Sequence, residues 1–247
     1  MKRFVCKALI MAVAFLLLIG SAAATYGGGK PVVRTNKQTS TVIIGDSRIV
    51  QMYQVGYKSF STIAVAGGMY SLNNEYMIQS KKYANSLNKT AKKEKASSRH
   101  TVIKQSVKDA LKKHKKCRVI ILATINECKN IYTGSKDFPK KQSKATAKFA
   151  KSIADMKVKK GGKVYKPKVY VIKSPKAINK GIGKKHAKKD VDKYNKAVKK
   201  YAKKYKYTFV KVREPKKKEF SKDGIHFKAK KSGYNKYLWK KFKSLKF

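Results

Sequence analysis

The first residues that could do chemistry stand in the stretch TVIIGDSRIV, residues 41–50, where Gly-Asp-Ser interrupts an apolar run. The β-branched, apolar start of this stretch predicts a buried strand, Thr41 to Ile44, and the glycine after it permits a tight turn. A serine that begins the next helix exposes its hydroxyl and points its backbone N–H at incoming negative charge. Ser47 is therefore a candidate nucleophile. The plainer alternative is a turn whose serine only caps the helix.

A carboxylate and a histidine lie three residues apart in DGIH, residues 223–226. Asp223 can hold the imidazole tautomer of His226 while the other ring nitrogen removes a proton from a serine. Taken alone, Asp-Gly is also an ordinary turn dipeptide. The other histidines lie in lysine-rich polar surroundings without such a carboxylate and are interpreted as surface residues. They are His100, His114 and His186.

Two further turns follow predicted strands and carry groups that could stabilise an oxyanion. STIAVAGG, residues 61–68, ends in Gly67-Gly68, where the missing side chains let a backbone N–H approach a substrate oxygen. Asn126 follows the apolar segment CRVIILAT, residues 117–124, and its side-chain amide can donate to the same oxygen. Neither feature is specific alone. Together with Ser47 they follow successive strands, and reactive groups gather at the carboxyl ends of parallel strands.

The elements that must position these residues alternate between strand and helix. Apolar residues recur at helical spacing between the strands, for example Val191, Tyr194 and Val198, which predict one buried helix face. The tyrosines on such faces are interpreted as core residues. This alternation predicts a mainly parallel five-stranded sheet between two helical layers. The five predicted strands lie within residues 41–44, 61–68, 117–124, 168–172 and 207–212, the second ending before its glycine turn.

Residues 1–24 have the three-part layout of a secretory signal peptide: cations, an apolar block and small residues before a cleavage point. The block ALIMAVAFLLLIG is shorter than the roughly 20 apolar residues that span a bilayer. We therefore expect cleavage near Ala24 and a protein that is secreted or held at the cell surface, with no transmembrane segment after cleavage. An uncleaved anchor is the alternative.

Residues 25–40 contain glycines, a proline and polar residues without periodicity, and predict a flexible leader; residues 41–247 suit one domain. Cys117 and Cys128 bracket a strand that would separate them by more than about 20 Å. That distance exceeds disulfide reach. No disulfide framework, no metal site and no cofactor is expected.

The charge is unusual, since 63 Lys and Arg residues stand against 12 Asp and Glu, giving a formal net charge of +51. The signal peptide carries three of these cations, Lys2, Arg3 and Lys7, and no acid, so its removal leaves +48. Arginine, which reads guanine edges bidentately, is scarce, so specific nucleic-acid recognition is not expected. Two interpretations stay open. The lysines either only solvate the surface, or they hold the protein on an anionic cell-wall or surface polymer.

In their order along the chain, the four motifs resemble the conserved blocks of the SGNH hydrolases, also called the GDSL esterase/lipase family. GDS follows the first strand, glycine the second and Asn126 the third, and DGIH lies near the carboxyl terminus. The resemblance covers residues 41–247 and implies a flavodoxin-like three-layer α/β/α sandwich. It also implies a catalytic Ser47, His226 and Asp223.

The oxyanion hole that the resemblance implies consists of the N–H of Ser47, a glycine N–H and the amide of Asn126. Alignment of AGGMYS, residues 66–71, with the second block of the family favours Gly68 over Gly67 as the donor of the glycine N–H. The sequence departs from the family at Arg48, where leucine is usual, and at Thr124, where the third block normally has glycine. Arg48 is interpreted either as meeting an acidic substrate or as pairing with Glu127 or Asp46.

The sequence thus predicts an exported serine esterase that removes acyl groups, with acetyl as the expected group, from a carbohydrate or cell-surface glycan through an acyl-enzyme. Small esters are substrates of the same chemistry. Transfer of the acyl group to another hydroxyl would use the same residues. The alternative from another class is a cationic polyanion-binding or wall-binding protein built on a hydrolase scaffold. Whether residues 81–98 cover the site as a lid stays open.

Overall fold

The computed structural model describes residues 33–34, 39–57, 59, 61–64, 99–122, 138–178 and 188–247. Its strands are β1 (Val33–Arg34), β2 (Thr41–Gly45), β3 (Ser61–Ala64), β4 (Arg118–Leu122), β5 (Val158–Lys160), β6 (Lys163–Tyr165), β7 (Lys168–Ile172) and β8 (Thr208–Val210). Its helices are α1 (Ser47–Gln54), α2 (Arg99–His114), α3 (Phe138–Ala154), α4 (Lys188–Tyr201) and α5 (Gly233–Ser244), with a 3₁₀ turn at Lys217–Glu219.

The main sheet has the order β1-β3-β2-β4-β7-β8. Strands β3, β2, β4, β7 and β8 are parallel, and they are the five strands that the sequence predicts. The mainly parallel α/β fold is therefore confirmed. The described part of β3 ends at Ala64, and residues 65–68, which hold the rest of this predicted segment and its glycine turn, lie outside the described ranges.

Helices cover the sheet on both faces because neighbouring residues of each buried strand point to opposite sides. On one face, Val42 and Ile44 of β2 lie in a cluster with apolar residues of α2, α3 and α4. On the other, Ile43 lies in a cluster with residues of α1 and α5. All three β2 side chains are at most 1% exposed. Buried on both faces, the strands are continuously apolar, as expected for a parallel sheet.

Two short features were not predicted. Val33 and Arg34 form β1, antiparallel to β3, although they fall in the segment 25–40 that the sequence predicts to be a flexible leader. A two-residue strand leaves almost no periodicity to detect. The hairpin of β5 and β6 turns at Gly161 and Gly162, whose φ angles of 55° and 71° suit glycine.

The predicted signal peptide, residues 1–24, lies outside the described residues. Within the part that the structure describes, no helix has the length and apolar character needed to cross a membrane.

Candidate active site

Ser47 stands where the sequence places it, directly after the carboxyl end of the central strand β2. The strand ends at Gly45, and α1 begins at Ser47. A Cβ atom on Gly45 would lie 2.1 Å from Cγ1 of Ile49 and 2.9 Å from the carbonyl oxygen of Leu122. Glycine is therefore required here for packing reasons. Its lack of a side chain lets α1 fold back closely onto the sheet and fixes the position of the serine.

The helix cap is provided by Asp46 and not by the serine. Oδ1 of Asp46 accepts a hydrogen bond from the backbone N–H of Arg48 at 3.0 Å. This arrangement frees the Ser47 hydroxyl from the capping role that the plainer interpretation gave it.

Three side chains from the two ends of the chain form a continuous hydrogen-bonded relay. The Ser47 hydroxyl lies 2.7 Å from Nε2 of His226, and Nδ1 of His226 lies 2.5 Å from Oδ2 of Asp223. Ser47 is 8% exposed, so the relay lies mostly out of water. With the proton of the imidazole on Nδ1, facing Asp223, Nε2 can accept the serine proton.

Asp223 is held firmly by its own turn. Its Oδ1 accepts from the Ser221 hydroxyl at 2.5 Å, from the N–H of Ile225 at 2.9 Å and from the N–H of His226 at 3.0 Å. Partial burial opposes the charge of this carboxylate. The hydrogen bond and charge of His226, followed by the bond from Ser221, outweigh that effect and hold the pKa of Asp223 well below its ordinary value. Asp223 is thus ionised at neutral pH and fixes the imidazole.

Sequence reasoning missed Ser221. A serine two residues before an aspartate is common in turns and carries no signal of its own.

Arg48 is buried and paired with Asp46. Its Nε donates to Oδ1 at 2.9 Å and one terminal nitrogen donates to Oδ2 at 2.6 Å, a bidentate pair. Arg48 is only 1% exposed, so the structure favours the pairing interpretation over contact with an acidic substrate. Glu127, the other proposed partner, lies outside the described residues.

The loop 173–178 after β7 joins the two halves of the relay. The carbonyl of Pro175 accepts a hydrogen bond from Arg48 at 3.4 Å, and the N–H of Ile178 donates to the carbonyl of Gly224 at 2.9 Å. Asn195 of α4 fastens the loop by bonding both the N–H and the carbonyl of Ser174, at 2.8 Å and 2.9 Å. The helix that carries Ser47 and the turn that carries His226 are therefore braced against one loop.

Three of the predicted site residues lie outside the part of the chain that the structure describes. Gly67, Gly68 and Asn126 lie outside the described residues, as do Thr124 and the segment 81–98. The N–H of Ser47, the other predicted oxyanion donor, belongs to the first residue of α1, where the helix dipole favours negative charge.

Of the other histidines, only the side chain of His114 lies among the described residues, and it is not part of the relay. His114 ends α2 just before β4 begins, at the opposite edge of the sheet. The described residues contain no group of three or more His, Cys, Asp and Glu side chains arranged to hold a metal ion. Cys117 is free and buried, and burial raises the pKa of its thiol to about 12.

The fold matches solved structures of ester hydrolases at low sequence identity. A M. smegmatis aryl esterase is 15% identical, with a TM-score of 0.51, and the match covers 84% of this chain and 100% of that one. A Bacteroides fragilis protein named as an acylhydrolase is also 15% identical, with a TM-score of 0.51 and coverages of 86% and 90%. An Agrobacterium tumefaciens protein named as an arylesterase is 14% identical, with a TM-score of 0.50 and coverages of 84% and 100%.

Protein-family models and curated protein sequences gave no match to this chain. The structural matches show the fold, which is the three-layer α/β/α sandwich that the sequence resemblance implies.

Proposed function

We propose that this chain is an exported serine esterase of the SGNH type. The observation that carries the proposal is the relay from Ser47 through His226 to Asp223, with distances of 2.7 Å and 2.5 Å. A nucleophile, a base and an orienting carboxylate in hydrogen-bond contact form the arrangement needed for acyl transfer. The fold shared with the aryl esterase supports the same conclusion.

The reaction begins when His226 removes the hydroxyl proton of Ser47 and the oxygen attacks the ester carbonyl. The developing oxyanion is stabilised by the N–H of Ser47 together with Gly68 and Asn126, the donors expected from the sequence. His226 then gives its proton to the departing alcohol, which leaves an acyl-serine. Water activated by the same imidazole attacks the acyl carbon and frees the serine. Asp223 stabilises the imidazolium in both steps.

For the substrate we propose an ester of a carbohydrate or cell-surface glycan, with acetyl as the acyl group. The support is the predicted signal peptide, which would place the enzyme outside the cytoplasm. Amino-terminal sequencing of exported protein tests this, because cleavage near Ala24 gives a chain that starts at or near Thr25. A chain that retains Met1 would contradict export with cleavage.

Hydrolysis of p-nitrophenyl acetate and of longer-chain esters tests the enzymatic proposal. Residues 25–247 should release p-nitrophenol, and Ser47→Ala and His226→Ala should each lose at least about 10³-fold in kcat, because the triad acts as a unit. His114→Ala is the matched control and should keep its activity. Wild-type protein that is folded but inert, also towards acetylated polysaccharide, would refute the proposal.

A further inference from the structure

A pocket lies at the edge of the sheet opposite the catalytic residues. It encloses about 160 Å³ and is bordered by Thr41, the first residue of β2, whereas Ser47 follows the end of that strand. Five strand residues separate the two edges by about 16 Å. None of the described residues that line this pocket is acidic. The pocket therefore differs from the active site in place and in chemistry.

The cationic wall of the pocket is built around Arg118, the first residue of β4. Its Nε donates to the Thr41 hydroxyl at 2.8 Å, and one terminal nitrogen donates to the carbonyls of Lys243, at 3.1 Å, and Leu245. The other terminal nitrogen donates to no described residue. The centroid of the Phe247 ring lies 4.4 Å from the guanidinium carbon. The guanidinium is thus held in one orientation with one amino group still able to donate.

Two other side chains complete the recognition surface. Lys243, exposed on α5, lines the pocket and adds a second cation. Trp239, one turn earlier, also lines it and is partly exposed. Its ring packs against Tyr57 with centroids 5.3 Å apart, which limits its rotation. The apolar side chains of Ile43 and Phe242 line the pocket as well.

We propose that this pocket binds a carboxylated sugar unit of an anionic polysaccharide. The carboxylate would be received by Arg118 and Lys243, since a guanidinium amino group and an ammonium both form charge-assisted hydrogen bonds to carboxylates. The apolar C–H face of the sugar ring would lie against the indole of Trp239. The pocket is smaller than the about 300–1,000 Å³ of sites for drug-sized ligands. It therefore takes one unit of a chain and leaves the rest in solvent.

Such a site would hold a polysaccharide strand away from the catalytic serine. It does not depend on esterase activity, because none of its residues belongs to the relay. It also differs from general attraction by the lysine surface, because it requires a particular arginine, lysine and aromatic ring.

The single tryptophan of the chain provides the test. Titration of the protein with oligogalacturonate should change the fluorescence of Trp239 in a saturable way, and a maltooligosaccharide of equal length should not. Lys243→Ala should weaken binding about tenfold, the effect of losing one charge-assisted hydrogen bond. Lys240→Ala, which removes an exposed lysine of the same helix outside the pocket, is the matched control and should bind as wild type. Ser47→Ala should also bind as wild type.

Arg118→Lys keeps the charge but loses the planar guanidinium and its separate amino groups. This variant should also bind oligogalacturonate more weakly, while its circular dichroism spectrum stays unchanged. Equal effects of Lys243→Ala and Lys240→Ala would overturn the proposal in favour of nonspecific attraction. Displacement of the oligosaccharide by inorganic phosphate at the same concentration would reduce the pocket to a simple anion site and would overturn the assignment to a sugar.

Discussion

At the residue scale, the site depends on the hydrogen-bond and ion-pair partners of two carboxylates. Asp223 faces His226 and orients it, while Asp46 caps α1 and pairs with Arg48. Both are fixed by several hydrogen bonds each, so neither needs to reorganise during the reaction. The preorganised charge of Asp223 is the kind of contribution that lowers a barrier.

Replacing Asp223 should reveal its charge as a pH effect on stability. The pKa of Asp223 is lowered in the folded protein, so the ionised carboxylate stabilises the fold above its ordinary pKa of about 3.9. This stabilisation disappears as the pH falls below that value towards the folded pKa. The gap in melting temperature between wild type and Asp223→Asn should be constant above about pH 5 and narrow below about pH 4. Thermal unfolding followed by circular dichroism measures it; a gap independent of pH would contradict the prediction.

Arg48→Leu, which introduces the residue usual in the resembling family, should destabilise this protein. The pair with Asp46 is buried, at 1% and 0% side-chain exposure, and its removal leaves a buried carboxylate without its cation. The free energy of unfolding should fall by about 3–5 kcal/mol.

Urea denaturation gives this value. As a control, Lys176→Leu removes a pair with Asp192 that is 34% and 55% exposed, and should change stability by no more than about 1 kcal/mol. Similar losses of unfolding free energy in the two variants would show that burial does not increase the contribution of the Arg48–Asp46 pair to stability.

At the element scale, the tight junction of β2 and α1 decides where the nucleophile lies. Gly45 allows the first turn of the helix to contact the strand, and the loop 173–178 braces this junction against the turn of His226. The hairpin of β5 and β6 stands at the other edge of the sheet and has no such role.

Gly45→Ala should therefore impair both stability and activity. The added methyl would overlap Ile49 and the Leu122 carbonyl, and overpacking of this kind costs about 1–3 kcal/mol. The displaced helix should also reduce kcat on p-nitrophenyl acetate.

Gly162→Ala is the control for that variant. Its Cβ has nothing within 4 Å, but its φ of 71° is unfavourable for alanine, so it should lose stability without losing kcat. Equal kcat values for the two variants would show that the Gly45 junction does not position the serine.

At the scale of the whole molecule, the net charge of +51 predicts electrostatic attraction to anionic polymers. Attraction between exposed charges is screened over about 10 Å at 0.1 M salt and about 3 Å at 1 M. We expect the lysine surface to hold the protein on an anionic wall or surface polymer at low salt only.

Retention on an immobilised polyanion should therefore be lost between 0.1 M and 1 M salt, and Ser47→Ala should be retained like wild type. Column elution with a salt gradient measures this. Binding that survives in Ser47→Ala while ester cleavage vanishes would establish the two as separate functions. Retention that does not respond to salt would contradict the electrostatic explanation. Nucleic acid would bind such a surface as well, so its binding alone would carry little meaning.

The sequence by itself predicted the segments that form the five parallel strands and singled out Ser47, Asp223 and His226 as candidate site residues. It could do so because buried strands must be continuously apolar and because the Gly-Asp-Ser and Asp-Gly-Ile-His motifs are local. It did not reveal β1, the β5–β6 hairpin or Ser221, whose signals are too short to stand out.

Only the tertiary structure decided how these parts meet. Ser47 and His226 are far apart in sequence, and the packing of the fold brings the serine hydroxyl within 2.7 Å of Nε2 of the histidine at one edge of the sheet. The same packing buried Arg48 against Asp46, which favours the ion pair over contact with an acidic substrate, the two interpretations that the sequence left open. It also placed Trp239, Arg118 and Lys243 around one pocket. Contacts between distant segments depend on which faces pack together, and local patterns do not contain that information.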